Sequence, residues 1–375
     1  MKISIIAFTE NGMKISEKIL NSFEKNYENN SNSFENETNS KKNTQTYENE
    51  NPNDNKNQYT IDIRRCKKGG LSEWTEEHFN KSDALIFIGA IGIATRAIAP
   101  HIKTKTSDPA VIVVDELGQF SVPILSGHIG GANELAIKIS EILDAIPVIS
   151  TATDINNVFA IDTWAKSQNL NILNPENIKL VSSKLLKGKK VYIQSKYPIK
   201  GDLPKNIQID IDENLENKEK KAYDVIINHN DFNENYKKKD NILYLIPQII
   251  SLGIGCRKDI GFKHIEEGIL SAMKKENCHI LSLKNIASID KKANEKGIIE
   301  FCQEYGLEFN TYSAEELNKL KGDFSKSEFV KSIVNVDNVC ERSAMMGNNK
   351  RLISKKEAYD GVTLALALNK TELNW

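Results

Sequence analysis

The stretch DALIFIGAIGIATRAIAP, residues 83–100, decides the fold. Residues 84–89 (ALIFIG) are a continuous apolar run, matched by a second at residues 111–114 (VIVV). Unbroken runs of β-rich apolar residues are the pattern of strands buried on both faces of a parallel sheet. Residues 89–100 (GAIGIATRAIAP) then turn into a helix. Gly89 and Gly92 let the backbone approach a ligand closely, and a new helix N-terminus offers unpaired N–H groups to an anion. Arg96, one turn into that helix, is placed to hold a carboxylate; the alternative is a surface arginine beside a tight glycine turn.

Outward from this stretch, strand and helix alternate. Upstream, residues 3–8 form a short apolar strand, TENG a turn and residues 14–23 a helix. Downstream come a helix over 131–143 and a strand over 147–150. Helices over 159–168 and 178–186 follow, then strands over 191–194 and 223–227. The last third restarts with a strand over 249–254, the turn SLGIGCRKD and a helix over 258–275, and ends in GVTLALAL. The pattern predicts a multi-domain α/β protein with mainly parallel sheets flanked by helices. The expected regions are an N-terminal one over 1–130, a middle one over 131–230, a linker over 231–247 and a C-terminal domain over 248–375. Residues 24–58 are almost devoid of aliphatic side chains and read as a mobile insertion. Residues 200–221 and 230–240 read as loops or linkers.

Composition excludes several classes. Lys plus Arg (50) nearly cancel Asp plus Glu (51), which argues against nucleic-acid binding through bulk charge. The five cysteines are scattered without a CxxC pair and the six histidines without an HxxxH pair. No disulfide framework and no protein metal site is expected. No apolar segment is long enough for a signal peptide or a membrane span, so a soluble, reduced, cytoplasmic protein is expected.

Two further loops carry candidate chemistry. In VDELGQFSVPILSGHIGGANELA, residues 114–136, Asp115 and Glu116 leave the end of a buried strand. His128 lies in SGHIGGAN, whose small residues Ser126, Gly127, Gly130 and Gly131 precede a helix carrying Asn133. A histidine beside backbone N–H groups at a helix start has the parts of a general acid–base with an oxyanion site. Asp115 and Glu116 either orient that histidine, serve in its place, or form a solvated turn. In GIGCRKD, residues 253–259, Gly253, Gly255 and Arg257 form a strand-to-helix turn. With Lys258 at the third glycine position it is only half a dinucleotide fingerprint, so NAD binding is rejected. Cys256 reads as a spectator thiol more readily than as a nucleophile.

These loops together resemble the cobalt-precorrin 5A hydrolase family over nearly the whole chain outside the insertion. The resemblance rests on TENG, residues 83–136, IPVISTATD (146–154), SLGIGCRKD, ASID (287–290) with Lys291, SEFVKSIVNVDNVCERSA (327–344) and KKEAYDGVTLALAL (355–368). It implies opening of a δ-lactone on a cobalt corrinoid, with release of a two-carbon fragment as acetaldehyde. The substrate would bring its own cobalt, so no cofactor is expected, and neighbouring pathway enzymes are the expected partners. His128, with Asp115 or Glu116 as alternatives, would be the acid–base, and Gly130 and Gly131 N–H the oxyanion donors. Arg96 and Arg257 would anchor substrate carboxylates. A corrinoid-binding or escort protein without catalysis is the rival reading. The sequence departs from the family where Asp259–Ile260 replace a usual Gly-Thr pair, and in the expanded 24–58 segment.

Overall fold

A computed structural model of the chain describes residues 1–28, 44–47, 59–104, 107–211, 223–230 and 241–375. They form two compact units, Met1–Thr163 and Trp164–Trp375.

The first unit is built on a seven-stranded sheet ordered β2-β3-β1-β4-β5-β6-β7. Its strands are β1 (Lys2–Ala7), β2 (Thr44–Tyr47), β3 (Tyr59–Arg65), β4 (Ala84–Ile88), β5 (Ala110–Val114), β6 (Phe120–Leu125) and β7 (Ile146–Pro147). The four central strands, β3, β1, β4 and β5, are parallel; β2 and β6 run antiparallel to their inner neighbours. Alternation along β4 sends Ala84, Ile86 and Ile88 to one face and Leu85 and Phe87 to the other, all buried. One face packs against helices α1 (Glu10–Glu28) and α4 (Ala132–Leu143), the other against α2 (Leu71–Phe79) and α3 (Ile91–Ile98). Both faces are therefore core, and each large side chain buried there contributes roughly 1.5–3 kcal/mol. Helix α4 belongs to this unit, although the sequence reading begins the middle region at residue 131. Short helices α5 (Ala152–Ile155) and α6 (Ile161–Ser167) follow. The expected insertion 24–58 contributes the end of α1 and the edge strand β2; its remainder lies outside the described residues.

The second unit carries two five-stranded sheets. The first comprises β8 (Leu170–Ile172), β9 (Val191–Ser195), β11 (Ile207–Ile211), β12 (Val225–Ile227) and β13 (Leu243–Pro247), ordered β11-β9-β12-β13-β8. It is parallel except for β8, with α7 (Ile178–Leu186) against β9. The strand β10 (Ile199–Lys200) instead pairs with β19 (Leu373–Asn374). The other sheet comprises β14 (Ile250–Cys256), β15 (Leu283–Ile289), β16 (Glu308–Tyr312), β17 (Lys350–Tyr359) and β18 (Val362–Asn369), ordered β16-β15-β14-β18-β17. Strands β14, β15 and β16 are parallel, while β17 and β18 form an antiparallel hairpin turned at Asp360–Gly361, both at positive φ. An Asp-Gly pair is what such a tight hairpin demands. Helices α8 (Phe262–Lys275), α9 (Lys296–Tyr305), α10 (Ala314–Lys319), α11 (Glu328–Val334) and α12 (Val339–Met345) complete the unit. No helix among the described residues is long and apolar enough to cross a membrane.

Helix α12 explains the NVCERSA motif as architecture. Glu341 is fully buried and accepts hydrogen bonds from Ser325 N (2.9 Å), Ser325 Oγ (2.7 Å) and Lys356 N (2.8 Å). Burial alone would raise its carboxyl, but these donors hold it below the usual range. Arg342 pairs with Asp337 at 2.8 Å and donates to Leu317 O and Leu320 O. Helix α12 is thereby tied to strand β17 and to the loops on either side.

Candidate active site

Strand β6 ends at Leu125, and Ser126 takes a left-handed φ of 56° to reverse the chain. Its Oγ donates to Asp108 O at 2.9 Å. Its carbonyl accepts from Ala132 N at 3.1 Å, and Gly127 O accepts from Asn133 N at 3.0 Å, which folds SGHIGGAN into a compact loop. A Cβ on Gly127 would sit 2.7 Å from Asn133 Oδ1, the tip of a hydrogen-bonded amide, and one on Gly130 would meet Ser126 O at 2.6 Å. Gly131, at φ 82°, occupies the N-cap position of α4.

Within this loop His128 is held by both ring nitrogens. Nδ1 lies 3.1 Å from Thr163 Oγ1 and Nε2 lies 2.8 Å from Thr153 Oγ1. Asp154 Oδ2 stands 3.7 Å from Nε2, with His128 18% and Asp154 39% exposed. Asn133 Nδ2 donates to that same Oδ2 at 2.7 Å and to Thr151 Oγ1 at 3.0 Å, so the first turn of α4 fixes the carboxylate beside the imidazole. A carboxylate at this distance orients the ring, part of the arrangement a general acid–base requires. Thr153 Oγ1 occupies the hydrogen-bonding direction of Nε2 that a water or substrate hydroxyl would take.

The sequence reading singles out His128 but not its neighbours. Thr151, Thr153 and Asp154 all lie in IPVISTATD, whose polar end was the available signal. They arrive because the chain after β7 continues alongside β6, with β7 in parallel register and Val148 N bonded to Ser121 O at 2.9 Å.

Asp115 and Glu116 require a correction. Register pairs Val114 with Ser121 and Val111 with Leu125, so residues 115–116 and 126–128 extend from opposite ends of the β5–β6 hairpin. At about 3.4 Å per residue, roughly 15 Å of strand separates the two ends. Asp115 instead clamps its own turn, accepting from Leu117 N (3.0 Å), Gln119 N (2.7 Å) and Phe120 N (2.6 Å). Glu116 is an exposed turn residue whose carbonyl accepts from Asn11 Nδ2 at 2.6 Å.

Gly89, Gly92 and Arg96 also lie toward that other edge, with Gly89 N bonded to Val114 O at 2.8 Å. Arg96 is exposed and turns its guanidinium back onto Gly92 O at 3.1 Å. The structure does not bring it to His128. A Cβ on Gly89 would press 2.7 Å into the Phe8 ring, which gives that glycine a packing reason. The Gly131 N–H is already donated to His128 O at 2.9 Å, so it is not an oxyanion donor here.

In the second unit, Gly253 is buried beneath α12, where a Cβ would collide with Cys340 O and lie 2.7 Å from Ala344 N. It reaches no surface at which substrate could bind. Gly255 backs onto Thr363, whose Oγ1 donates to Gly255 O at 3.1 Å, and Arg257 is exposed. Burial raises the Cys256 thiol, although Lys292 beside it pulls the other way, so the thiolate is disfavoured. Asp259 has φ 60° and its N–H donates to the buried Glu295 Oε1 at 2.7 Å. A left-handed residue explains why glycine would suit this position and why aspartate is tolerated there. Among the described residues no group of three or more His, Cys, Asp or Glu is placed to hold a metal ion.

Comparison with known proteins places these loops in one family. Residues 73–154 match the family described as Cobalamin synthesis G N-terminal, 159–247 the Cobalamin biosynthesis central region, and 250–367 the Cobalamin synthesis G C-terminus. A cobalt-precorrin-5A hydrolase of Salmonella typhimurium is 32% identical over 314 residues, covering 80% of this chain and 86% of the relative. Another from Priestia megaterium is 30% identical over 310 residues, 77% of this chain and 79% of the relative. A cobalamin biosynthesis protein G homolog from Sulfolobus solfataricus, of known structure, is 25% identical over 98% of this chain and 97% of its own, with a TM-score of 0.38. With consecutive matches from residue 73 to residue 367 and these two relatives, the chain belongs to the cobalamin synthesis G family.

Proposed function

We propose that the chain is a cobalt-precorrin 5A hydrolase, which opens the substrate's δ-lactone and releases acetaldehyde to give cobalt-precorrin 5B. The 32% identity to a relative of that name, over 86% of its length, carries the reading. Lactone opening adds one water across the acyl C–O bond, leaving a carboxylate and a hydroxyethyl group. Removal of the hydroxyl proton then breaks the carbon–carbon bond, expels acetaldehyde and leaves a carbanion that takes up a proton. Both stages need one group that accepts and returns protons, and His128 beside Asp154 has the parts. Gly130 N–H is the loop donor assigned to the tetrahedral oxyanion. Arg257 holds a peripheral carboxylate of the macrocycle. Cobalt enters with the substrate, the chain supplies no metal of its own, and the setting is the cytoplasm.

The decisive experiment incubates the purified chain with cobalt-precorrin 5A and follows acetaldehyde by NADH oxidation through alcohol dehydrogenase. One acetaldehyde per corrinoid consumed is expected. Corrinoid binding without acetaldehyde would instead identify an escort protein. Cys256→Ser should keep most of the turnover, since its thiol is held protonated. Inactivation with binding intact would point to covalent catalysis through sulfur.

A further inference from the structure

A second polar cluster lies at the carboxyl edge of the β11-β9-β12-β13-β8 sheet. Strands β9 and β12 are parallel with Ser195 opposite Ile227, so Lys196–Tyr197 and Asn228–Asn230 leave the same edge together. Lys196 N donates to Ile227 O at 3.0 Å. The edge is stitched to the chain preceding β15 by an isolated bridge between Asn230 and Cys278, and by His279 N donating to His229 O at 2.8 Å. Carboxyl edges of parallel sheets are where such folds bind ligands.

The charges here do not balance. Lys196 is partly buried and its ammonium donates to Asn230 Oδ1 at 3.2 Å, a neutral partner. Burial lowers it, the Cys278 thiol nearby pulls the other way, and Arg351 on β17 is near enough to act on it as a second cation. Burial and those same two cations push the His229 imidazole down to about 4, so it is neutral. Its partner Tyr197 is held protonated by burial, so the hydrogen-bonded pair adds donors without adding charge. Neither Lys196 nor Arg351 forms an ion pair among the described residues. Lys184 and Lys292, by contrast, meet Asp224 and Glu295. A half-buried cation beside a second, exposed cation, hydrogen-bonded to a neutral amide, costs free energy that an incoming anion offsets.

We infer that Lys196 and Arg351, with Tyr197, His229 and Asn230 around them, form a carboxylate-binding subsite for a peripheral side chain of the corrinoid. The assignment to a corrinoid rests on the hydrolase reading; the demand for an anion does not. Cobyrinic acid, a cobalt corrinoid with free peripheral carboxylates, is the probe, titrated by absorbance alongside its methyl ester. Lys196→Gln and Arg351→Gln should each weaken binding of the acid about tenfold, the size of one charge-assisted contact, and leave ester binding unchanged. Lys274→Gln, on α8, should change neither. Equal losses for acid and ester, or no loss for either variant, would overturn the subsite. Inorganic phosphate at constant ionic strength supplies the other arm. Phosphate that raises the melting temperature of wild type but not of the variants, with acid binding unchanged, would show a free-anion site and overturn its assignment to substrate. Acetaldehyde release plays no part in the readout. A chain that binds through these cations yet turns nothing over would sink the hydrolase and leave the subsite standing.

Discussion

Gly253→Ala should destabilise the second unit by about 3 kcal/mol or more, at or beyond the upper end of ordinary overpacking. The added methyl would meet backbone, not the tip of a flexible side chain: Cys340 O and, at 2.7 Å, Ala344 N. Helix α12 has little freedom to retreat. Ser343 Oγ donates to Ala287 O at 3.1 Å, Glu341 ties the helix to Ser325 and Lys356, and Arg342 ties it to Leu317 and Leu320. The seam is cut for small groups throughout, since Cys340 and Ala344 pack on Ala365 and Ala367. Urea unfolding and soluble yield are the measurements, with Gly261→Ala as the control, because nothing lies within 4 Å of a Cβ there. If Gly253→Ala melts like wild type and loses only corrinoid binding, the glycine belongs to the substrate site after all.

That test separates two readings of one glycine, and the difficulty is general in this chain. The runs ALIFIG and VIVV disclose a doubly covered sheet because both of their faces must be apolar, a demand visible residue by residue. The closing GVTLALAL is harder. Its Ala residues meet α12 while Leu364 lies against Gly268 of α8, a two-sided environment that emerges only once β18 runs antiparallel to β14. Asp115 misleads for a related reason. An acid at the end of a buried strand looks chemical, yet its lone pairs are taken by three N–H groups of the following turn, a local use typical of aspartate. Which end of a hairpin a loop occupies is set by register, and register is not written in the loop. Thr153 and Asp154 reach His128 across 25 and 26 residues of chain for the same reason: the segment after β7 is carried along β6.

His128→Ala should lower turnover by roughly a hundred- to ten-thousand-fold, the usual contribution of a positioned acid–base. The structure also supplies the strongest argument against that role. Both ring nitrogens are engaged by threonine hydroxyls, so the imidazole joins the loop before α4 to α5 and to α6. A purely structural histidine would show in the variant as a lower melting temperature with binding and turnover impaired together. An acid–base would show as intact folding, near-normal corrinoid affinity and lost acetaldehyde release. Asp154→Asn sharpens the contrast. The amide keeps the size of the side chain but removes the charge 3.7 Å from Nε2. Turnover should then fall less than in His128→Ala, with corrinoid affinity near wild type, because the ring loses the carboxylate that orients it but keeps its place. If His128→Ala folds, binds and releases acetaldehyde at close to the wild-type rate, the acid–base lies elsewhere. Unchanged turnover in Asp154→Asn would remove the carboxylate from the mechanism even if the histidine survives.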